Sequence, residues 1–202
     1  MTALTEGPLL WFLNRGSGLV LLVLLTLTVV LGVLAMGGRP GRGVPRFVTQ
    51  RLHRNIGLVS VVAVVVHIAT AVLDTYVDIR WWHAVVPWGS AYEPLWVGLG
   101  TAAVDVILVV VLSSLLRTRL SHRTWRAVHL GAWLAWGFAI AHTIGIGTDL
   151  KELSAWAVVP SVACVCAVLA AAGIRIAHLV RDPHPVTRPV THPVARPMSH
   201  TF

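Results

Sequence analysis

LHRNIGLVSVVAVVVHIATAVL, residues Leu52–Leu73, decides how the chain is read. It is apolar enough to sit in hydrocarbon, yet it carries His53 and His67. An imidazole buried in lipid must find a hydrogen-bond or metal partner, so ionisable residues inside a span are functional candidates by default. A second stretch, WRAVHLGAWLAWGFAIAHTIGIGT from Trp125 to Thr148, repeats the arrangement with His129 and His142. Four histidines in two matched pairs form a constellation.

Around these stretches the composition leaves one class open. Of 202 residues, 56% are hydrophobic and 12% charged, a balance that no single soluble core of this size could bury. Several apolar runs exceed the roughly 18–20 residues needed to cross a bilayer. The expectation is an all-α integral membrane bundle of five transmembrane helices over residues 8–180, followed by a disordered proline-rich tail, 181–202. The formal charge of +8 does not argue for nucleic acid, because the basic residues, all arginine except Lys151, cluster in loops beside apolar spans. No cleavable signal peptide is expected, since the first apolar run is too long and lacks a small-residue cleavage site. Cys164 and Cys166 are one residue apart in the last run, point in different directions on a helix, and are expected to be small core residues.

Taken in order, the first span covers about Pro8 to Met36. Arg15 in its first turns either snorkels to the near interface or pairs with an anionic group in the bundle. GGRPGRGVPRFVTQ, residues 37–50, reads as a loop. The second span runs from about Arg51 to Val77. DIRWWHAVVPWGSAY follows (Asp78–Tyr92), with three tryptophans and a tyrosine, and is expected to fold over the end of the bundle as an interfacial lid. The third span, about Glu93 to Leu116, holds Asp105, which is expected to hydrogen-bond a neighbouring helix, with a proton-relay role as the other reading. The fourth is Trp125 to about Gly147 and the fifth about Leu153 to Val180. The tail repeats a Pro-Val-Thr theme, so His184, His192 and His200 are weak ligand candidates. His83, His122 and His178 lack partners and read as surface or interface residues.

Arginine sets the orientation. Arg39, Arg42, Arg46, Arg51 and Arg54 flank the first loop, Arg117, Arg119, Arg123 and Arg126 the third, and Arg181, Arg188 and Arg196 the tail. Those sides read as cytoplasmic, which puts the amino terminus outside a plasma membrane and the carboxyl terminus inside. The second and fourth spans are then parallel.

The histidines are 14 residues apart on one of these spans and 13 on the other, about 20 Å of axial rise in each case. His53 with His129 and His67 with His142 would thus form two sites at matching depths. Zinc prefers four protein ligands, and no third or fourth stands near either pair. Two trans imidazoles suit a haem instead, whose porphyrin fills the other four positions. Gly57, Ala63 and Ala69, with Gly131, Ala132, Gly137 and Ala139, would let a porphyrin approach the backbones or would serve ordinary helix packing. A spacing of 14 returns to nearly the same helix face, but 13 misses by roughly 140°. Either a bend or π-bulge, placed at Gly137, or cofactors on different flanks of the span is needed.

The paired spacing, 14 on one span and 13 on the next but one, resembles that of the ferric reductase-like transmembrane domain family, which is related to the NADPH oxidase membrane domains and to bacterial haem-b membrane subunits. The resemblance covers about residues 8–180. It implies a bundle with two b-type haems, axially ligated by His53, His67, His129 and His142, that carries electrons across the membrane. This chain has five spans where many relatives have six, and no strand, glycine-rich loop and helix follow Val180 to hold a flavin or nicotinamide. A separate flavoprotein reductase or a quinone is therefore the expected donor, and an extracytoplasmic molecule the acceptor. Arg54 and Arg126, each near an axial histidine, would meet haem propionates or serve as positive-inside anchors, and Arg15 lies at the depth of the outer haem. The competing readings are a non-redox membrane subunit or transporter that binds protons or a metal ion through its histidines and Asp105, and an assembly partner without a cofactor.

Overall fold

The computed structural model describes residues 8–36 and 45–181, and all the regular structure among them is helical. Helices α1 (Pro8–Met36), α2 (Arg46–Leu73) and α3 (Pro94–Leu115) are followed by α4 (His122–His129) and α5 (Gly131–Ile146), which form one interrupted span, then by the short α6 (Thr148–Lys151) and by α7 (Ala155–Arg181). Five segments are long and apolar enough to cross a membrane. At about 1.5 Å per residue, even the 22 residues of α3 reach about 33 Å, the thickness of the hydrocarbon core. Their outward faces carry large aliphatic side chains such as Val62, Val65, Val159 and Leu169, each more than 60% exposed. Lipid is the medium that suits such a surface. The chain is a multi-pass membrane protein.

Two helical hairpins, α1–α2 and α3 with α4–α5, make up most of the bundle, and α1 is its hub. It packs against α2, α7 and α5. The buried residues of α1 (Leu22, Thr26, Val29, Val33) and of α7 (Ala157, Ser161, Cys164, Val168, Ala171) step by alternating fours and threes. That is the spacing of a left-handed helix-pair seam, in which small side chains on α7 let the backbones close. Cys164 lies in this seam, whereas Cys166 is on the exposed face, which corrects the expectation that both are core residues. By contrast α2 and α5, the helices that carry His53, His67 and His142, make no extensive contact with each other.

The ends depart from the sequence reading at several points. Helix α2 begins at Arg46, where Pro45 fixes an extended backbone before the first turn, and it ends at Leu73 rather than Val77. Between α2 and α3 the aromatic loop folds around a single 3-10 turn, Trp81–Ala84. His83 there is 5% exposed, not a surface residue. Its Nδ1 accepts from the Arg80 amide at 3.0 Å, and the Thr101 hydroxyl donates to its carbonyl at 2.6 Å, fastening the loop to α3. Trp88 has φ 60°, and its indole lies where a side chain on Gly98 would have to be. Arg80 holds the Asp78 carboxyl below the usual carboxylate range through hydrogen bonds of 3.1 and 3.2 Å, though both groups are fully exposed. The expected disordered tail lies outside the described residues except for Arg181, which ends α7, and so do His184, His192, His200 and the side chain of His178.

Candidate functional site

The structure sets the four histidines in two layers between α2 on one side and α4–α5 on the other. The rings of His53 and His129 have their centres 5.9 Å apart and their planes at 65°. Those of His67 and His142 are 6.4 Å apart at 85°. The ring pairs bridge α2 and α4–α5, although α2 and α5 make no extensive contact with each other.

What holds each ring is the neighbouring helix of its own hairpin. His53 Nδ1 meets the Thr28 carbonyl at 2.9 Å, His67 Nδ1 the Asn14 carbonyl at 3.2 Å, and His142 Nδ1 the Trp96 carbonyl at 2.7 Å. A carbonyl only accepts, so Nδ1 carries the proton and the lone pair sits on Nε2. Four residues after each of those carbonyls stands a glycine: Gly32, Gly18 and Gly100. A methyl group on Gly100 would come 2.7 Å from His142 Nδ1, and one on Gly18 would come 2.9 Å from His67 Cε1. At Gly32 the corresponding approach, to His53 Cε1, is 3.3 Å. Each imidazole lies in the notch of a missing side chain and donates to the carbonyl one turn earlier. The fourth position varies the same device. Ser114 donates to the Val110 carbonyl, again four residues earlier, at 2.8 Å, which leaves its oxygen to accept from His129 Nδ1 at 3.4 Å. Asn14 adds a return bond, its amide donating to the His67 carbonyl at 3.2 Å.

The supporting positions explain the unequal histidine spacing. Gly18 and Gly32 are 14 residues apart on α1, as are Gly100 and Ser114 on α3. Both supports therefore have one register. The histidine span of the second hairpin meets it with a 13-residue spacing because its helix is interrupted at Leu130, immediately after His129. Gly131 at the break comes against Val106 and Val110 of α3. The expected irregularity exists, but it is at Leu130 and not at Gly137, which has nothing within 4 Å of its missing side chain. Gly57 faces Thr28 and Gly131 faces α3, so both serve helix packing.

Other polar residues fall around the layers. Between them, the Trp136 indole donates to buried Thr26 at 2.9 Å and ties α5 to α1. Trp125 stacks on His129 with ring centres 4.9 Å apart and planes at 24°, and the Arg117 guanidinium lies 4.6 Å from the Trp125 ring centre. Arg15 pairs with Asp149 at 2.8 Å, both side chains less than 20% exposed, and its guanidinium is 4.9 Å from the Trp11 ring centre. Of the two arginines nearest the His53 layer in sequence, Arg54 and Arg126 are both exposed. Asp105 makes no hydrogen bond among the described residues. It lines an apolar groove with Val106, Val109 and Gly131, and so does not bridge helices as expected. Among the described residues no three histidine, cysteine or acidic side chains converge as ligands for a bare metal ion.

The fold and these layers define a class: a five-span helical membrane protein with two facing imidazole pairs, each ring braced from behind. The chain belongs to the family described as a domain of unknown function, DUF8596, whose model matches residues 9–149. The match takes in both hairpins, all four histidines, their supports and the Arg15–Asp149 pair, and stops short of α7. No curated protein and no solved structure matches the chain.

Proposed function

We propose that the chain is a di-haem b-type membrane cytochrome, ferric reductase-like in kind, which carries electrons across the membrane from a cytoplasmic flavoprotein or a quinol to an extracytoplasmic acceptor. The observation that carries this reading is the pair of ring separations, 5.9 and 6.4 Å, with each Nδ1 tied backwards. Two metal–nitrogen bonds of about 2.0 Å, plus about 1.1 Å from each nitrogen to its ring centre, span about 6.2 Å in a linear arrangement. With each Nδ1 committed to its support, each ring keeps its Nε2 lone pair for an electron-pair acceptor. Two donors per site suit a metal whose remaining positions belong to a macrocycle better than they suit a bare ion, and the lack of extensive packing between α2 and α5 is in keeping with a flat apolar one.

When bound, the haems would supply a one-electron iron couple, held by His53 with His129 and by His67 with His142. The protein's part is positional. Thr28, Asn14, Trp96 and Ser114 fix ring orientation and leave Nε2 as the nitrogen open to a ligand. The 14-residue register of α1 sets the two layers about 21 Å apart along the helix axis. Trp136 and Thr26 tie α5 to α1 between the two layers. Arginine-rich loops at the His53 end support a cytoplasmic placement for that layer, with the amino terminus of α1 outside a plasma membrane.

The direct test is spectroscopic. Purified protein reduced with dithionite should show b-type absorption bands, and a pyridine haemochrome assay should count two haems per chain. His67→Ala or His142→Ala should each remove one and leave the other. A colourless, folded preparation from haem-replete cells would overturn the reading.

A further inference from the structure

The His53–His129 layer contains an unmet hydrogen bond. Trp125 Nε1 is buried and has no hydrogen-bond partner among the described residues. Buried donors are rarely left so, because an unmade bond costs about 1–3 kcal/mol. Trp125 stands one turn before His129 and lies almost flat against it. It therefore brings an unpaired N–H on the ring that lies against His129, near the start of α4 and the loop that joins α3 to α4. Over the same indole sits the Arg117 guanidinium, from the 3-10 turn Arg117–Arg119 in that loop. A neutral donor and a cation on one aromatic plate are complementary to an anionic oxygen acceptor, which takes a charge-assisted bond from each. Neither Arg54 nor Arg126 shares this position, since no described contact joins either to Trp125 or to a histidine ring.

We propose that Trp125 Nε1 and Arg117 form the receptor for a propionate carboxylate of the haem held by His53 and His129. This rests on the haem reading and adds to it the residues that recognise the polar edge of the cofactor. It also sets the direction of insertion: carboxylates towards the α3–α4 loop, the apolar edge towards the middle of the bundle. Among the described residues the other layer has no equivalent. The position one turn before His142, Phe138, offers no N–H, and Arg15 is already committed to Asp149.

The test uses the full chain carrying His67→Ala, which keeps the His53–His129 pair as its one complete pair. Apoprotein is reconstituted with haem or with haem dimethyl ester, whose carboxylates are blocked, and loss of each to excess apomyoglobin is timed. With Trp125 and Arg117 present, the ester should leave about a hundredfold faster than haem, as expected for the loss of two charge-assisted bonds at about tenfold each. Trp125→Phe, which keeps an aromatic face on His129, and separately Arg117→Gln, should each speed the loss of haem about tenfold while leaving the ester's rate unchanged, so that the preference shrinks by that factor. An undiminished preference in both variants would overturn the proposal while leaving the bis-histidine haem in place. Failure of either porphyrin to give a six-coordinate b-type spectrum that depends on His53 and His129 would remove the haem reading and this one with it.

Discussion

At the scale of single residues, the absence of a side chain matters as much as the presence of an imidazole. Gly100 leaves no slack, because a methyl group there would stand 2.7–3.1 Å from three atoms of the His142 ring. Gly100→Ala should displace that ring from the Trp96 carbonyl at an overpacking cost of about 1–3 kcal/mol and remove the cofactor of the His67–His142 layer. Gly32→Ala, whose methyl would meet His53 at 3.3 Å, should keep both layers loaded. Haem stoichiometry of the two variants checks this, and two haems in Gly100→Ala would argue against the notch. The histidine pairs were legible in the sequence because residue type and spacing alone put them level. Their supports were not. Glycine is common in membrane helices, and a backbone carbonyl as acceptor leaves no trace in a sequence. The available clue was numerical: small residues 14 apart on both α1 and α3, matching the spacing of His53 and His67.

At the scale of elements, each hairpin is a unit in which one helix carries imidazoles and the other orients them. The misfit of a 13-residue spacing was readable from helix geometry, but its location was not, since it depends on how Gly131 is pressed against Val106 and Val110 of α3. His83 was misread for a similar reason. A histidine among three tryptophans looks interfacial, and only the fold of the loop shows the Thr101 hydroxyl and the Arg80 amide closing on it. The Arg15–Asp149 pair joins α1 to the short α6, and it forms at the end of the bundle where Asn14 braces His67. Asp149→Asn leaves the arginine half-paired in a low-dielectric setting and should cost about 1–3 kcal/mol, less than for a fully buried pair because both side chains keep some exposure. Thermal unfolding in detergent should show the loss, while the haem count stays at two. A fall to one haem would instead give Arg15 a direct part in holding the cofactor.

Across the whole molecule, five spans, a lipid-facing aliphatic surface and an α1 hub follow from apolar run lengths and from the alternating stripe of buried residues on α1 and α7. Sidedness is a separate matter, argued from arginine alone. A single cysteine at Thr118, in a chain with Cys164 and Cys166 replaced by alanine, should react with a membrane-impermeant maleimide only after the cell is opened. One at Ala91, in the aromatic loop, should react in intact cells. The reverse pattern would invert the direction of electron flow proposed above.

Each layer draws one ring from either hairpin, which bears on how the protein is made. A nascent chain inserted as far as Leu73 already has two oriented imidazoles, both braced by α1, and no complete clamp. Neither clamp can close before the second hairpin has left the ribosome and docked, so whatever the rings grip must arrive late in biogenesis. Its arrival would then weld two halves that share little direct packing between α2 and α5.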